Sequence, residues 1–243
     1  MKTENFLDGN LLPTEAILTD QFELCQRAVE SLFSDERKKN ETKRLQFPFG
    51  YEQFVNLLSR CAEIILERRG ESTRFTIDSE NETVIREIYL YLRQDSCFSG
   101  DLQKGVLLMG KYGCGKTLIM QSVSTMYNII VGESVYRRPL LKFIKSTELL
   151  DLVQEKSVKS YSRMPLIIDE LGREPKQIMN YGNLRSPMVE LLCERYDTGA
   201  WTHGTSNFTL ETLSSDSFYG KMTGDRIKAM FNFLELKGES RRK

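Results

Sequence analysis

Three glycines fall within the eight residues Gly110-Lys-Tyr-Gly-Cys-Gly-Lys-Thr117, and a lysine and a threonine close the run. The spacing is G-x-x-x-x-G-K-[ST]. Glycine costs conformational entropy wherever a chain is ordered, so this density needs a reason. A bound phosphate supplies one. Successive N–H groups from Gly110, Lys111, Tyr112, Gly113, Cys114 and Gly115 can turn into one concavity. A helix starting at Lys116, Thr117 and Leu118 adds its free amides and the positive end of its dipole. The Lys116 ammonium suits β- and γ-phosphates, and the Thr117 hydroxyl suits Mg²⁺.

A second constellation is Met164-Pro-Leu-Ile-Ile-Asp-Glu-Leu-Gly-Arg-Glu174. An apolar run ends in two carboxylates, Asp169 and Glu170. In a parallel sheet, ligands bind beyond the carboxyl ends of the strands. Asp169 there can hold Mg²⁺ through its water shell, and Glu170 can orient and deprotonate an attacking water. Asn207, closing "THGTSNF", can hydrogen-bond a γ-phosphate and that water, although asparagine equally favours turns. Arg226, Arg241 and Arg242 follow in the last segment. A guanidinium stabilises transferring phosphate and can come from a neighbouring copy, but spacing alone does not give Arg226 that role. The chain has no N-K-x-D guanine motif and no kinase loop set. A glutamate beside the metal-binding aspartate favours water as acceptor, and so hydrolysis.

These groups must be positioned by elements, and the patterning changes near residue 100. Before it, apolar residues recur at helical spacing: Phe22, Cys25, Ala28, Val29 and Leu32; Tyr51, Phe54, Leu57, Leu58, Cys61, Ile64 and Ile65; Val84, Ile85, Ile88, Tyr89 and Leu92. The polar run Ser34–Arg44 reads as a linker. After it, short apolar runs alternate with helical stretches. Val106–Met109, "LLKFIKS", "PLIIDE" and "AWTHGTSNF" read as strands. Leu118–Ile130, "TELLDLVQEK" with Ser146 or Thr147 as cap, and "SPMVELLCERY" with Ser186 as cap read as helices. Such alternation predicts a parallel sheet with crossover helices on its faces.

Lys plus Arg and Asp plus Glu both number 34, giving a net charge of +0. That excludes a chain-wide basic coat for nucleic acid or membrane, though not a local patch. No apolar run reaches membrane-spanning length and no signal-peptide core opens the chain, so no membrane partner is expected. The 5 cysteines and 1 histidine form no metal-binding pattern, consistent with a reducing cytoplasm. His203 reads as structural.

Together GKYGCGKT, LIIDELGRE, THGTSNF, YGKMTGDRI and the terminal G-x-S-x-R resemble the AAA+ ATPases of the DnaC helicase-loader and IstB transposition-helper group. The likeness spans roughly residues 75 to 243 and includes Phe75–Asn81, "FTIDSEN". It implies an α/β P-loop core of three αβα layers with a parallel sheet. A reduced C-terminal lid would follow. Residues 71–243 would form the ATPase domain, and a helical region at 1–70 would bind a partner. By the same resemblance Asn207 would be sensor 1. Arg226 would be an arginine finger reaching a neighbour's ATP. Arg242, or Arg241 one position earlier, would be sensor 2. The implied function is an ATP·Mg²⁺-dependent replication protein that assembles into oligomers and acts on a replicative helicase and single-stranded DNA. The alternative is an IstB-type helper that brings a transposase to target DNA. Lys142, Lys145, Lys156 and Lys159 are candidate DNA contacts.

Overall fold

The computed structural model describes residues 26–28, 30–31, 44–72, 74–133, 139–180 and 182–241. The chain divides into two compact units, residues 1–42 and 43–243. In the first, residues 26–28 and 30–31 are helical. Phe22, Cys25, Val29, Leu32, the whole polar run before Arg44, and Arg242 lie outside the described residues.

The second unit contains, in order, α1 (Tyr51–Arg68), α2 (Glu82–Arg93), β1 (Gly105–Gly110), α3 (Lys116–Gly132), β2 (Lys142–Lys145), α4 (Ser146–Lys156) and β3 (Leu166–Leu171). Then come β4 (Ile178–Asn180), β5 (Asn183–Arg185), α5 (Pro187–Asp197), β6 (Thr202–Ser206), α6 (Leu210–Leu213), α7 (Lys221–Met230) and β7 (Phe231–Leu236). Five strands form one parallel sheet in the order β2-β3-β6-β1-β7, and β4 and β5 pair separately as an antiparallel hairpin.

Strands buried on both faces read as continuous apolar runs, which is why β1 and β3 carry Val106–Leu108 and Leu166–Ile168. Period-two alternation then divides them between two cores. Val106, Leu108 and Ile167 pack with Phe54 and Leu58 of α1, Ile85 of α2 and Ile119 of α3. Leu107, Leu166 and Ile168 pack with Leu149 of α4, Leu191 of α5 and Ile227 of α7. Helices therefore cover both faces, giving the expected three layers.

The structure redraws two boundaries. The sequence places the domain junction at 70/71, yet α1 buries Phe54, Leu58 and Cys61 in the same core as Ile119 and Val123 of α3, within the unit that starts at Lys43. The stripe was legible; that it faces α3 was not. Likewise, the residues after Asn207 are mostly not lid. They return as α6, α7 and β7, the strand beside β1, and among the described residues only 237–241 continue beyond it. No glycine or proline separates α7 from β7, since Met230 leads directly into Phe231, so the change of period lacked punctuation.

His203 lies inside β6 with 3% exposure. Its Nδ1 accepts the Val106 N–H at 2.9 Å, and Nε2 is buried without a partner. Burial, with Arg44 and Arg195 nearby, lowers its pKa to about 3. The unfolded chain takes up a proton near pH 6.5 that the folded one refuses, so this contribution is complete above pH 6.5 and is lost as pH falls toward 3. Between pH 7 and 5 the loss is about 2 kcal/mol. Urea unfolding at both pH values should show that loss in the wild type and its absence in His203→Phe.

Candidate functional site

The carboxyl ends of β3, β6 and β1 are adjacent in the sheet, so the segments that follow them converge. β1 runs into the glycine loop, β3 ends at Asp169-Glu170-Leu171, and β6 is followed by Asn207. A cavity of about 590 Å³ opens there. Its lining includes the loop and helix start from Tyr112 to Ile119, Glu170, Asn207 and Arg241, together with Leu66, Arg69, Phe75 and Asn81.

The loop's glycines are required sterically. Gly110, Gly113 and Gly115 have φ of +153°, +80° and +106°. A Cβ on Gly110 would stand 2.3 Å from the Leu236 carbonyl oxygen, and one on Gly113 would stand 2.3 Å from the Ser240 hydroxyl. Lys116 is 6% exposed. Its ammonium donates to the carbonyls of Gly110 at 2.8 Å and Lys111 at 2.6 Å and lies 3.7 Å from the Cys114 sulfur. Burial lowers its pKa, partly offset by Cys114, Asp169 and Glu170. Tyr112 is 65% exposed at the rim, and Leu118 lines the cavity at the start of α3.

Asp169 is fully buried. Its Oδ1 accepts hydroxyl hydrogen bonds from Thr117 at 3.0 Å and Thr205 at 2.7 Å, while Oδ2 has no partner. Burial raises its pKa against those two hydrogen bonds. A buried carboxylate oxygen without a donor, beside a threonine hydroxyl, fits a small hard cation. Among the described residues no three His, Cys, Asp or Glu could hold a metal by themselves. Phosphates and water would therefore complete the shell, as Mg²⁺ prefers.

Glu170 sits in a β-bulge at φ +59°, a left-handed conformation rare outside glycine. Its N–H donates to the Thr205 hydroxyl at 2.9 Å, and its carbonyl accepts from the Ser146 hydroxyl at 2.9 Å. The cap of α4 is neither Ser146 nor Thr147 but Lys145; Ser146 is the first helical residue and gives its hydroxyl to the bulge. The Glu170 carboxylate pairs with Arg173 at 2.5 Å. Thr205, Ser146 and Arg173 escaped the sequence reading, because only the bulge brings them to Glu170.

Of the candidate arginines, Arg241 lines the cavity and is bound to Asp78 and Glu80. Arg226 is outside its own cavity, on α7, 3.7 Å from the Asp197 carboxylate and with its guanidinium 5.3 Å from the Tyr196 ring centre. Lys142, Lys145, Lys156 and Lys159 are exposed on β2, α4 and the turn after it.

No protein-family model and no curated protein sequence matches the chain. Solved structures do. The sheet order, the glycine loop after β1 and the flanking helices give a fold like that of the DnaC helicase loader, on which the chain superposes with a TM-score of 0.50 and 18% identity, covering 68% of this chain and 95% of that one. A DnaI structure gives 0.47 and 17%, covering 70% and 88%; AMPPCP-bound DnaA from Aquifex aeolicus gives 0.44 and 13%, covering 68% and 49%. Among the described residues no helix is long and apolar enough to cross a membrane.

Proposed function

We propose that the chain is an ATPase of the helicase-loader type, binding and hydrolysing ATP in the cavity at the carboxyl end of the sheet. One observation carries the reading: Lys116, Thr117, Asp169, Glu170 and Asn207 meet there, with the Asp169 Oδ2 buried and undonated. Lys116 leaves the loop carbonyls for the β- and γ-phosphates, and the loop amides bind the phosphate oxygens. Thr117 and Asp169 would hold Mg²⁺, which would supply charge neutralisation at the phosphates. Glu170 accepts a proton from water as its oxygen attacks the γ-phosphorus and the bond to the β,γ-bridging oxygen breaks. Asn207 orients that water. Arg226 lies outside its own cavity, so its guanidinium acts on a neighbouring copy's γ-phosphate and couples ATP to oligomer formation.

The partners in this reading are a replicative helicase, held through the N-terminal residues, and single-stranded DNA, met by Lys142, Lys145, Lys156 and Lys159. The DNA part should weaken steeply with salt. Pull-downs with a replicative helicase and with a transposase separate a loader from an IstB-type helper.

The catalytic part is tested by mixing subunits. Lys116→Ala should lose ATP binding yet still supply Arg226. Arg226→Ala should bind ATP yet lack the finger. Each alone should be nearly inactive in phosphate release, and the mixture should regain turnover. A mixture as inactive as its parts removes the shared site.

A further inference from the structure

The tail after β7 lies across the glycine loop, and three contacts fix it there. The Arg241 N–H donates to the Gly113 carbonyl at 3.0 Å. The Lys111 ammonium meets the Glu239 carboxylate at 2.5 Å. Ser240 fills the space beside Gly113 that a side chain would otherwise occupy. The tail also meets the segment before α2, of which Phe75, Thr76 and Asn81 line the cavity. Arg241 forks onto Asp78, with Nη1 2.7 Å from Oδ2 and Nη2 2.9 Å from Oδ1, and Nη2 reaches Glu80 Oε2 at 2.9 Å. Gly238, at φ +107°, stands so close to Glu80 that a Cβ would lie 2.3 Å from its Oε2. Two chain segments about 160 residues apart are thus clasped together above the loop; Arg241 and Glu80 are separated by 161 positions.

The geometry points to this clasp as the device that controls nucleotide exchange. The inference rests on reading the cavity as the nucleotide site and goes beyond it by assigning regulation to Asp78 and Glu80. Three features support it. Bidentate arginine–carboxylate pairs impose one geometry, so the clasp is either made or broken. Its side chains are part-exposed, 28% for Arg241, 40% for Asp78 and 46% for Glu80, so opening requires little rearrangement of the core. The Arg241 Nε–H is buried without an acceptor, although both other nitrogens are engaged. The clasped guanidinium therefore keeps one donor for an occupant, and an occupant that accepts it strengthens the clasp. Asp78 and Glu80 are positioning residues acting through Arg241. They also explain why two carboxylates stand beside a cavity built for a polyanion: their charge is spent on the arginine, which lowers the Asp78 pKa.

The test is stopped-flow release of a fluorescent mant-ADP and mant-ATP from the full chain. Asp78→Asn with Glu80→Gln keeps shape and removes both charges. Release should become about tenfold faster with the association rate little changed, and its acceleration by salt should shrink, because the screened pair is gone. A structural role alone would not separate release from association in this way. Arg241→Lys, which keeps the charge and loses the fork, should release faster than wild type and more slowly than the double variant. Equal release rates in wild type and double variant overturn the clasp while leaving the nucleotide site standing. Failure of the wild type to bind either nucleotide overturns the nucleotide reading and the clasp together.

Discussion

Lys116→Ala should weaken ATP binding by at least about 100-fold, as the loss of a charge-assisted contact worth about 3 kcal/mol requires. Two facts make the effect large. Lys116 is 6% exposed, so its charge acts through little water. It is held within the loop by the Gly110 and Lys111 carbonyls, so its side chain is ordered before phosphate arrives and little entropy is lost on binding. The fold should survive, because the glycine conformations and the packing of α3 do not depend on the ammonium. Far-UV circular dichroism unchanged, with calorimetric ATP binding lost, is the expected pair of results. Burial also lowers the Lys116 pKa. Affinity should therefore decline with rising pH from below the ordinary lysine range, since deprotonation removes the phosphate's partner. Binding within a few-fold of wild type in the variant would mean that the loop cradles something other than phosphate.

The glycine loop was legible because its three glycines mark backbone that a Cβ would strain or block, and Asp169-Glu170 was legible because an apolar run before two carboxylates marks the end of a buried strand. Residues whose roles depend on how the chain bends there were not. Thr205 and Ser146 serve the Glu170 backbone from 35 and 24 positions away, and their partner exists only because the ladder between β3 and β6 slips at Glu170. Sequence carries no sign of that slip, as neither glycine nor proline marks it. The tail illustrates a different limit. The pattern G-x-S-x-R points to Arg242 or, one position earlier, Arg241; of the two only Arg241 lies among the described residues, and it lines the cavity because Gly238 turns the chain and the Arg241 amide docks on Gly113. β7 was lost for a third reason: its apolar residues, Phe231, Phe233, Leu234 and Leu236, break strict alternation, and the helix before it ends without a break.

Glu170→Gln should leave ATP binding within a few-fold of wild type and reduce turnover by about 10²–10⁴, the usual contribution of a positioned general base. The amide is isosteric and keeps the cavity's shape, but it cannot take the proton from water. The backbone supports this role independently. A glutamate at φ +59° costs about 1 kcal/mol or more relative to relaxed backbone. Thr205 and Ser146 satisfy the N–H and carbonyl that the bulge removes from the ladder, which keeps the strain in place. A residue chosen for stability there would be glycine or asparagine. Glu170→Asn, which tolerates the left-handed conformation, should therefore unfold at an equal or higher urea concentration than wild type while being as inactive as Glu170→Gln. The Arg173 pair does not reverse this, because its guanidinium side chain is 62% exposed and such pairs contribute about 0–1 kcal/mol. Single-turnover phosphate release and urea unfolding, measured on the same preparations, give both numbers. Turnover retained in Glu170→Gln would remove the glutamate from proton transfer. A marked stability loss in Glu170→Asn would mean that its carboxylate is a fold determinant first.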